Sequence, residues 1–144
     1  MEYFQKNFLT AEGRLNRWKY FKLVLILGVI QLAMLLTIEL IFSDEWGNVS
    51  PFIENLITVI SVAVLLPYYF LTVQRVHDFN QDDTLAKFDA AISFYLIVFT
   101  PEEPLLWSTQ DFIICFVGAV LSLYILFKPG TRGENQYGAD PLGS

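Results

Sequence analysis

The chain has 144 residues, 54% of them hydrophobic and 17% charged, with a formal net charge of −6 at pH 7. Soluble domains carry about 25% charged residues, and a chain this short has much surface to cover with polar groups. The composition excludes an ordinary soluble globule and bounds the chain at one domain, 1–144. The lone cysteine, Cys115, excludes an intrachain disulfide.

Residues 1–22 precede the first apolar run. Phe4, Phe8, Ala11, Leu15 and Trp18 recur at helical spacing, with Lys6, Arg14 and Arg17 elsewhere on the cylinder. This predicts an interfacial helix or helical turn on anionic headgroups, weakened at Gly13, where the segment can divide in two. Four apolar runs follow, and they predict spans at about 23–42, 53–73, 85–100 and 112–127. About 20 residues cross a bilayer as a helix; the first two runs fit, and the last two are a turn short. A cleaved signal peptide does not fit the first run, which is too long, too far from the N-terminus and lacks a small-x-small site after it. Gln31 and Glu39 lie on one side of the first span and are candidate intramembrane polar groups. Pro67 is expected to kink the second.

The third run is the weakest. Its sixteen residues give roughly 24 Å of helix against a hydrocarbon core of roughly 30 Å, and Lys87 and Asp89 near its start are expected to snorkel or cap. Charge parity argues that it crosses nevertheless. All nine Lys and Arg fall before run one, between runs two and three, or after run four. The loops 43–51 and 101–111 hold Asp44, Glu45, Glu102, Glu103 and Asp111 instead. Cytoplasmic loops collect Lys and Arg, so four spans with both termini in the cytoplasm satisfy every cation. Trp18 falls at the inner boundary, and Trp46 and Trp107 fall in the outer loops. After run four, Pro129 and Gly130 stop the helix, and the composition of residues 128–144 predicts an irregular cytoplasmic tail. The fold class is all-α membrane protein: four transmembrane helices, an N-terminal interfacial segment and that tail.

The motifs carry little chemistry of their own. "GTRGEN" in the tail is a turn, since it lacks both the Gly-Lys-Ser/Thr of a phosphate loop and the three spaced glycines of a dinucleotide fingerprint. His77-Asp78 stands alone: one His and one Cys cannot build an ordinary zinc site. Asp78, Asp82 and Asp83 are read as a solvated acidic loop rather than a magnesium site. A Gly-x-Ser-x-Gly elbow is missing, and Asn48-Val49-Ser50 is only a formal glycosylation triplet. No catalytic, cofactor-binding or metal-ligating residue is assigned, and no cofactor is expected.

Three separated pieces carry a resemblance: "GRLNRWKYF" at 13–21, "RVHDF" at 75–79 and "KPGTRGENQYGADP" at 128–141. Together they resemble the bacterial inner-membrane domain-of-unknown-function family numbered eight hundred and five. Its pattern is Gly-Arg-x-x-Arg with aromatics, then Arg-x-His-Asp, then Gly-x-Asn-x-aromatic-Gly-x-Asp-Pro. The signature positions that this resemblance implies are Arg14, Arg17, Arg75, His77, Asp78, Asn135, Gly138, Asp140 and Pro141. One departure stands out: where the family has a Gly- and Ser-containing turn and a Trp after His-Asp, this chain has "FNQDDTLAKF".

Combined with the topology, the signature predicts a cytoplasmic polar cap in which Arg14, Arg17 and Arg75 pair with Asp78 and Asp140, with His77 and Asn135 joining it. The expected function is that of a non-enzymatic inner-membrane protein. Its expected partners are anionic phospholipid at the cytoplasmic face and a membrane protein or second copy, with no role for nucleic acid. An oligomeric small-molecule or ion transporter or channel subunit using Gln31, Glu39 and Pro67 is the alternative. A lipid-headgroup enzyme with His77 as base is the third reading.

Overall fold

The structure is a computed structural model that describes residues 8–44, 49–101 and 104–143. Phe4 and Lys6 of the N-terminal stripe, Glu45, Trp46 and Asn48, and Glu102 and Glu103 lie outside the described residues. Among the described residues from Arg17 on, four helices follow in order: α1 Arg17–Phe42, α2 Pro51–Asp78, α3 Thr84–Phe99 and α4 Thr109–Phe127, with a 3-10 turn at Pro104–Leu106. Three of them, α1, α2 and α4, are long and apolar enough to cross a membrane. The sixteen-residue α3 is the shortest.

Local chemistry sets the helix starts. The side chain of Asn16 caps α1 by accepting from the Lys19 N–H, Ser50 caps α2 with Pro51 just inside it, and Ser108 and Asp111 form a reciprocal capping box on α4. The end of α2 explains the departure noted above. Asn80 sits at φ 60°, the left-handed position that glycine usually fills. Its N–H reaches the His77 carbonyl at 3.0 Å, and the Gln81 N–H reaches that of Val76 at 3.3 Å. Those two bonds are a Schellman stop, with Asn supplying the conformation in place of Gly.

The helices run up and down, each packed on the next, with α4 returning to touch α1 and α2. Between α3 and α4 the approach is close: a Cβ on Gly118 would lie 2.7 Å from Ile92 Cγ2. Pro67 lies within α2, which continues through it to Asp78.

Burial is concentrated at one end, where α1 and α3 begin and α2 and α4 finish. Phe8, Leu15, Tyr20, Leu71, Val76 and Ile125 are among the core cluster there. Along the rest of the bundle, residues such as Val29, Leu36, Phe116 and Val120 are exposed. Hydrocarbon as solvent removes the penalty for such a surface.

Only part of the N-terminal stripe lies among the described residues. Residues 9–16 are irregular, and Gly13 is left-handed at φ +87°. The segment bonds to α2 rather than to itself: the Leu15 N–H donates to the Gln74 carbonyl at 2.9 Å, and Gln74 Nε2 donates to the Thr10 carbonyl at 2.7 Å. Leu15 and Phe8 are consequently buried in the protein core.

Candidate functional site

The buried end of the bundle gathers the three signature pieces around Asp78. Arg75, three residues earlier on α2, donates to Asp78 Oδ2 at 2.7 Å, and Arg14 from the N-terminal segment approaches Oδ1 at 3.2 Å. Both guanidiniums are shielded from solvent, and each also binds backbone. Arg75 Nε donates to the Ile125 carbonyl at 3.0 Å, and its Nη2 donates to the carbonyls of Leu126 and Lys128 at the end of α4. Arg14 donates to the carbonyls of Gly133 at 2.6 Å, Thr131 at 2.5 Å and Gly138 at 3.2 Å in the tail. One carboxylate and two arginines thus join residues about 120 positions apart in sequence, since Arg14 and Gly133 are separated by 119. Hydrogen bonds that saturate a buried charge are the condition under which such a pair is tolerated.

The tail is folded onto this pair. Thr131 donates to the Asp78 carbonyl from its N–H at 2.8 Å and from its hydroxyl at 3.0 Å. Gly130 passes so close that a Cβ there would lie 2.2 Å from Asp78 Oδ2, which leaves room for glycine alone. The Asn135 amide donates to the His77 carbonyl at 2.9 Å, and its oxygen accepts from the Tyr137 N–H at 2.9 Å. The Asp140 carboxylate accepts from the N–H groups of Gly133 at 2.9 Å and Leu142 at 2.8 Å, closing the last turn.

His77 is packed rather than presented. Its ring lies flat on Tyr137, with centroids 3.7 Å apart and planes at 4°, and Nδ1 is buried without a hydrogen-bond partner among the described residues. His77 and Asp78 stand beyond the apolar stretch 53–73. Burial pulls the His77 pKa below its ordinary value, opposed by the ring's bond to the Gly13 backbone. Burial also raises the Asp78 carboxyl, against the pull of Arg75 and Arg14.

Of the expected set, Arg14, Arg75, His77, Asp78, Asn135 and Asp140 come together. Arg17 is exposed at the start of α1, at the edge of a hollow that it shares with Asp140. The acidic loop disperses: Asp82 accepts from the Thr84 N–H at 3.1 Å, and Asp83 pairs with Lys87 at 3.0 Å on the surface, which lowers the Asp83 pKa.

Within the helices the polar groups arrange differently from expectation. Glu39 is exposed near the far end of α1, whereas Gln31 lines a cavity of about 390 Å³ between α1, α2 and α3 with Ser61, Tyr68 and Ser93. The two do not share a site. Asp89 neither snorkels nor caps. It is 1% exposed and accepts from the Tyr68 hydroxyl at 2.6 Å and the Ser122 hydroxyl at 2.8 Å. Tyr68 and Ser122 belong to neighbouring helices, so the only sequence signal for this triad is a carboxylate inside an apolar run. Gly130 and Thr131 were likewise missed; their roles depend on how closely the tail approaches Asp78. Tyr137 fills the aromatic position of the tail pattern.

A bundle with three helices fit to cross a bilayer, an apolar exterior and its buried arginine–carboxylate pairs gathered at one end defines a small integral membrane protein. The chain belongs to the family described as protein of unknown function (DUF805), which it matches over residues 8–139. It is similar to the inner membrane protein YhaH of Escherichia coli K12, 23% identical over 137 residues, or 94% of this chain and 90% of that one. It is also similar to the inner membrane protein YhaI of Escherichia coli O157:H7, 27% identical over 136 residues covering 94% and 89% of the two chains. No solved structure matches it.

Proposed function

We propose that this is a non-enzymatic inner-membrane protein that crosses the bilayer four times, keeps both termini in the cytoplasm, and acts through lipid or protein partners at its basic end. The carrying observation is a division of labour among the cations. Arg14 and Arg75 are buried and saturated by the cap, whereas Arg17, Lys19, Lys22, Lys128 and Arg132 are exposed around the same end. A ring of exposed cations at a helix-bundle end suits the anionic inner leaflet, where each contributes about 1 kcal/mol. The burial of His77 under Tyr137 and the occupation of Asp78 by two arginines support a structural rather than a catalytic role for this pair. A crossing α3 is supported by its two anchors: Tyr68–Asp89 near one end, and Tyr95 donating to Asp111 at 2.9 Å near the other. Local thinning of the bilayer accommodates its short length.

Orientation is tested with single cysteines at Leu105 and Glu134 in a Cys115→Ser background, labelled on spheroplasts with an impermeant maleimide. Labelling at 105 alone is expected; labelling at 134 alone reverses the topology. The partner reading is tested by native mass spectrometry after gentle extraction. A monomer or dimer carrying anionic lipid or a second protein is expected.

The cavity lined by Gln31, Ser61, Tyr68 and Ser93 favours a second reading, an oligomeric transporter or channel subunit. A discrete homo-oligomer with a small ligand, and loss of that ligand in Gln31→Leu, would replace the first reading with this one.

A further inference from the structure

Two hollows at the basic end meet at one side chain. The first is an apolar groove of about 300 Å³ between the start of α1 and the end of α4, lined by Arg17, Trp18, Phe21, Leu126 and Phe127. The second is a polar hollow of about 400 Å³, where Arg17 recurs beside Asp78, Arg132 and Asp140. Trp18 stacks on Phe21 with centroids 5.8 Å apart, and Lys22 Nζ lies 5.1 Å above the Trp18 ring. That is the arrangement of aromatics and cations found where hydrocarbon gives way to headgroups.

The charges around the polar hollow do not cancel. Asp78 is covered by Arg14 and Arg75, and the Asp140 carboxylate accepts two backbone N–H groups. Four guanidiniums (Arg14, Arg17, Arg75 and Arg132) stand against these two carboxylates, a surplus of two positive charges. The two guanidiniums in surplus, Arg17 and Arg132, are the exposed ones, and a planar fork of N–H donors matches phosphate oxygens. An apolar slot joined through an arginine to a cationic pocket is complementary to an amphiphile with an anionic head.

We infer that the two hollows hold one anionic membrane phospholipid, with an acyl chain in the groove between α1 and α4 and the phosphodiester on Arg17 and Arg132. The inference rests on the lipid-partner reading above and gives it a place. The lipid would join α1, α4 and the tail from outside, as Asp78 joins the N-terminal segment, α2 and the tail from inside.

The test is retention of added lipid by the full chain in detergent, read by native mass spectrometry. Phosphatidylglycerol and phosphatidylcholine with the same acyl chains are the probes. One phosphatidylglycerol per chain is expected, held roughly five- to tenfold more weakly by Arg17→Gln and by Arg132→Gln. Both residues are exposed, so both variants are expected to unfold at the wild-type temperature. Lys87→Gln, which lines neither hollow and is paired with Asp83, is expected to bind as wild type. Phosphatidylglycerol lost in Lys87→Gln but kept in Arg17→Gln overturns this site and leaves the lipid reading standing. Equal retention of the two lipids by the wild type overturns both. Displacement of phosphatidylglycerol by soluble glycerol phosphate assigns the polar hollow to a free phosphate and also overturns the proposal. So does a lipid-free dimer that separates on Arg17→Gln, which assigns the groove to a second copy.

Discussion

Replacing Asp78 with Asn asks whether one carboxylate holds the end of the bundle together. The substitution keeps the shape of the side chain and removes its charge. Arg75 at 2.7 Å and Arg14 at 3.2 Å, their side chains 0% and 1% exposed, are then left as two buried cations without a counter-charge. Removing one partner of a buried pair costs about 3–5 kcal/mol. Arg14 lies on an irregular segment that can lift into water with its charge, so the lower figure applies, about 3 kcal/mol. At about 1.4 kcal/mol per factor of ten, this shifts the balance between docked and lifted tail by roughly a hundredfold. The helices stay in place, because their apolar contacts are untouched. The assay is tryptic cleavage after Arg132 in detergent-solubilised protein, with circular dichroism as the control for helix content. When opening and closing are fast, cleavage follows the open population, so the rate should rise by a similar factor. An unchanged rate with helices intact would refute the reasoning.

The cap and the helices make further predictions. Gly130→Ala places a Cβ 2.2 Å from Asp78 Oδ2; overpacking of about 1–3 kcal/mol should raise cleavage at Arg132 by tenfold or so, and protection equal to wild type would show that the tail does not lie where it is described. Asp89→Leu removes the acceptor of the Tyr68 and Ser122 hydroxyls, at about 1–3 kcal/mol for each orphaned group. It should unfold at a lower temperature than Asp89→Asn, which keeps one acceptor; the reverse order would sink the triad.

The depressed pKa of His77 carries a sign. Above about 6.5 both docked and lifted forms are neutral there. As pH falls below that value the lifted form takes up a proton first, so the stability of the docked tail is lost progressively toward the lower native pKa. The His77 contribution to tail protection, normalised to an unstructured peptide, should therefore decline on acidification, while the raised Asp78 carboxyl acts with the opposite sign and is common to wild type and variant. His77→Phe, which retains a flat ring against Tyr137, should flatten the profile; an identical slope in both proteins would remove His77 as the cause.

Some of this was legible in local pattern alone. The four apolar runs became the bodies of the four helices, because hydropathy and helical hydrogen bonding are properties of contiguous sequence. The helices extend past the runs where capping chemistry allows: α1 starts at Arg17 because Asn16 caps it, and α2 reaches Asp78 because Asn80 ends it. Of the helical stripe before α1, residues 9–16 are irregular. Period alone cannot register that the Leu15 N–H finds its acceptor at Gln74 of α2. The pairing of Arg14 with Asp78 was legible only through the family resemblance, since nothing in the intervening sequence links positions 64 residues apart; Arg75 stands three residues before Asp78 on the same helix, a spacing that brings two side chains together locally.

The sequence by itself determined a membrane protein with helices at four apolar runs and its cations at one set of ends, because composition and charge placement are fixed before any folding. Only the tertiary structure decided which polar groups meet. Asp89 reads as a stray charge along the chain and becomes a hydrogen-bonded acceptor once α2 and α4 bring Tyr68 and Ser122 to it. Arg14 and Arg17, alike in sequence, part company: one is sealed against Asp78 and the other left at the edge of the apolar groove between α1 and α4. The physical reason is the same in both cases. Burial and pairing depend on which helix ends converge, and that is a property of packing rather than of any window of residues.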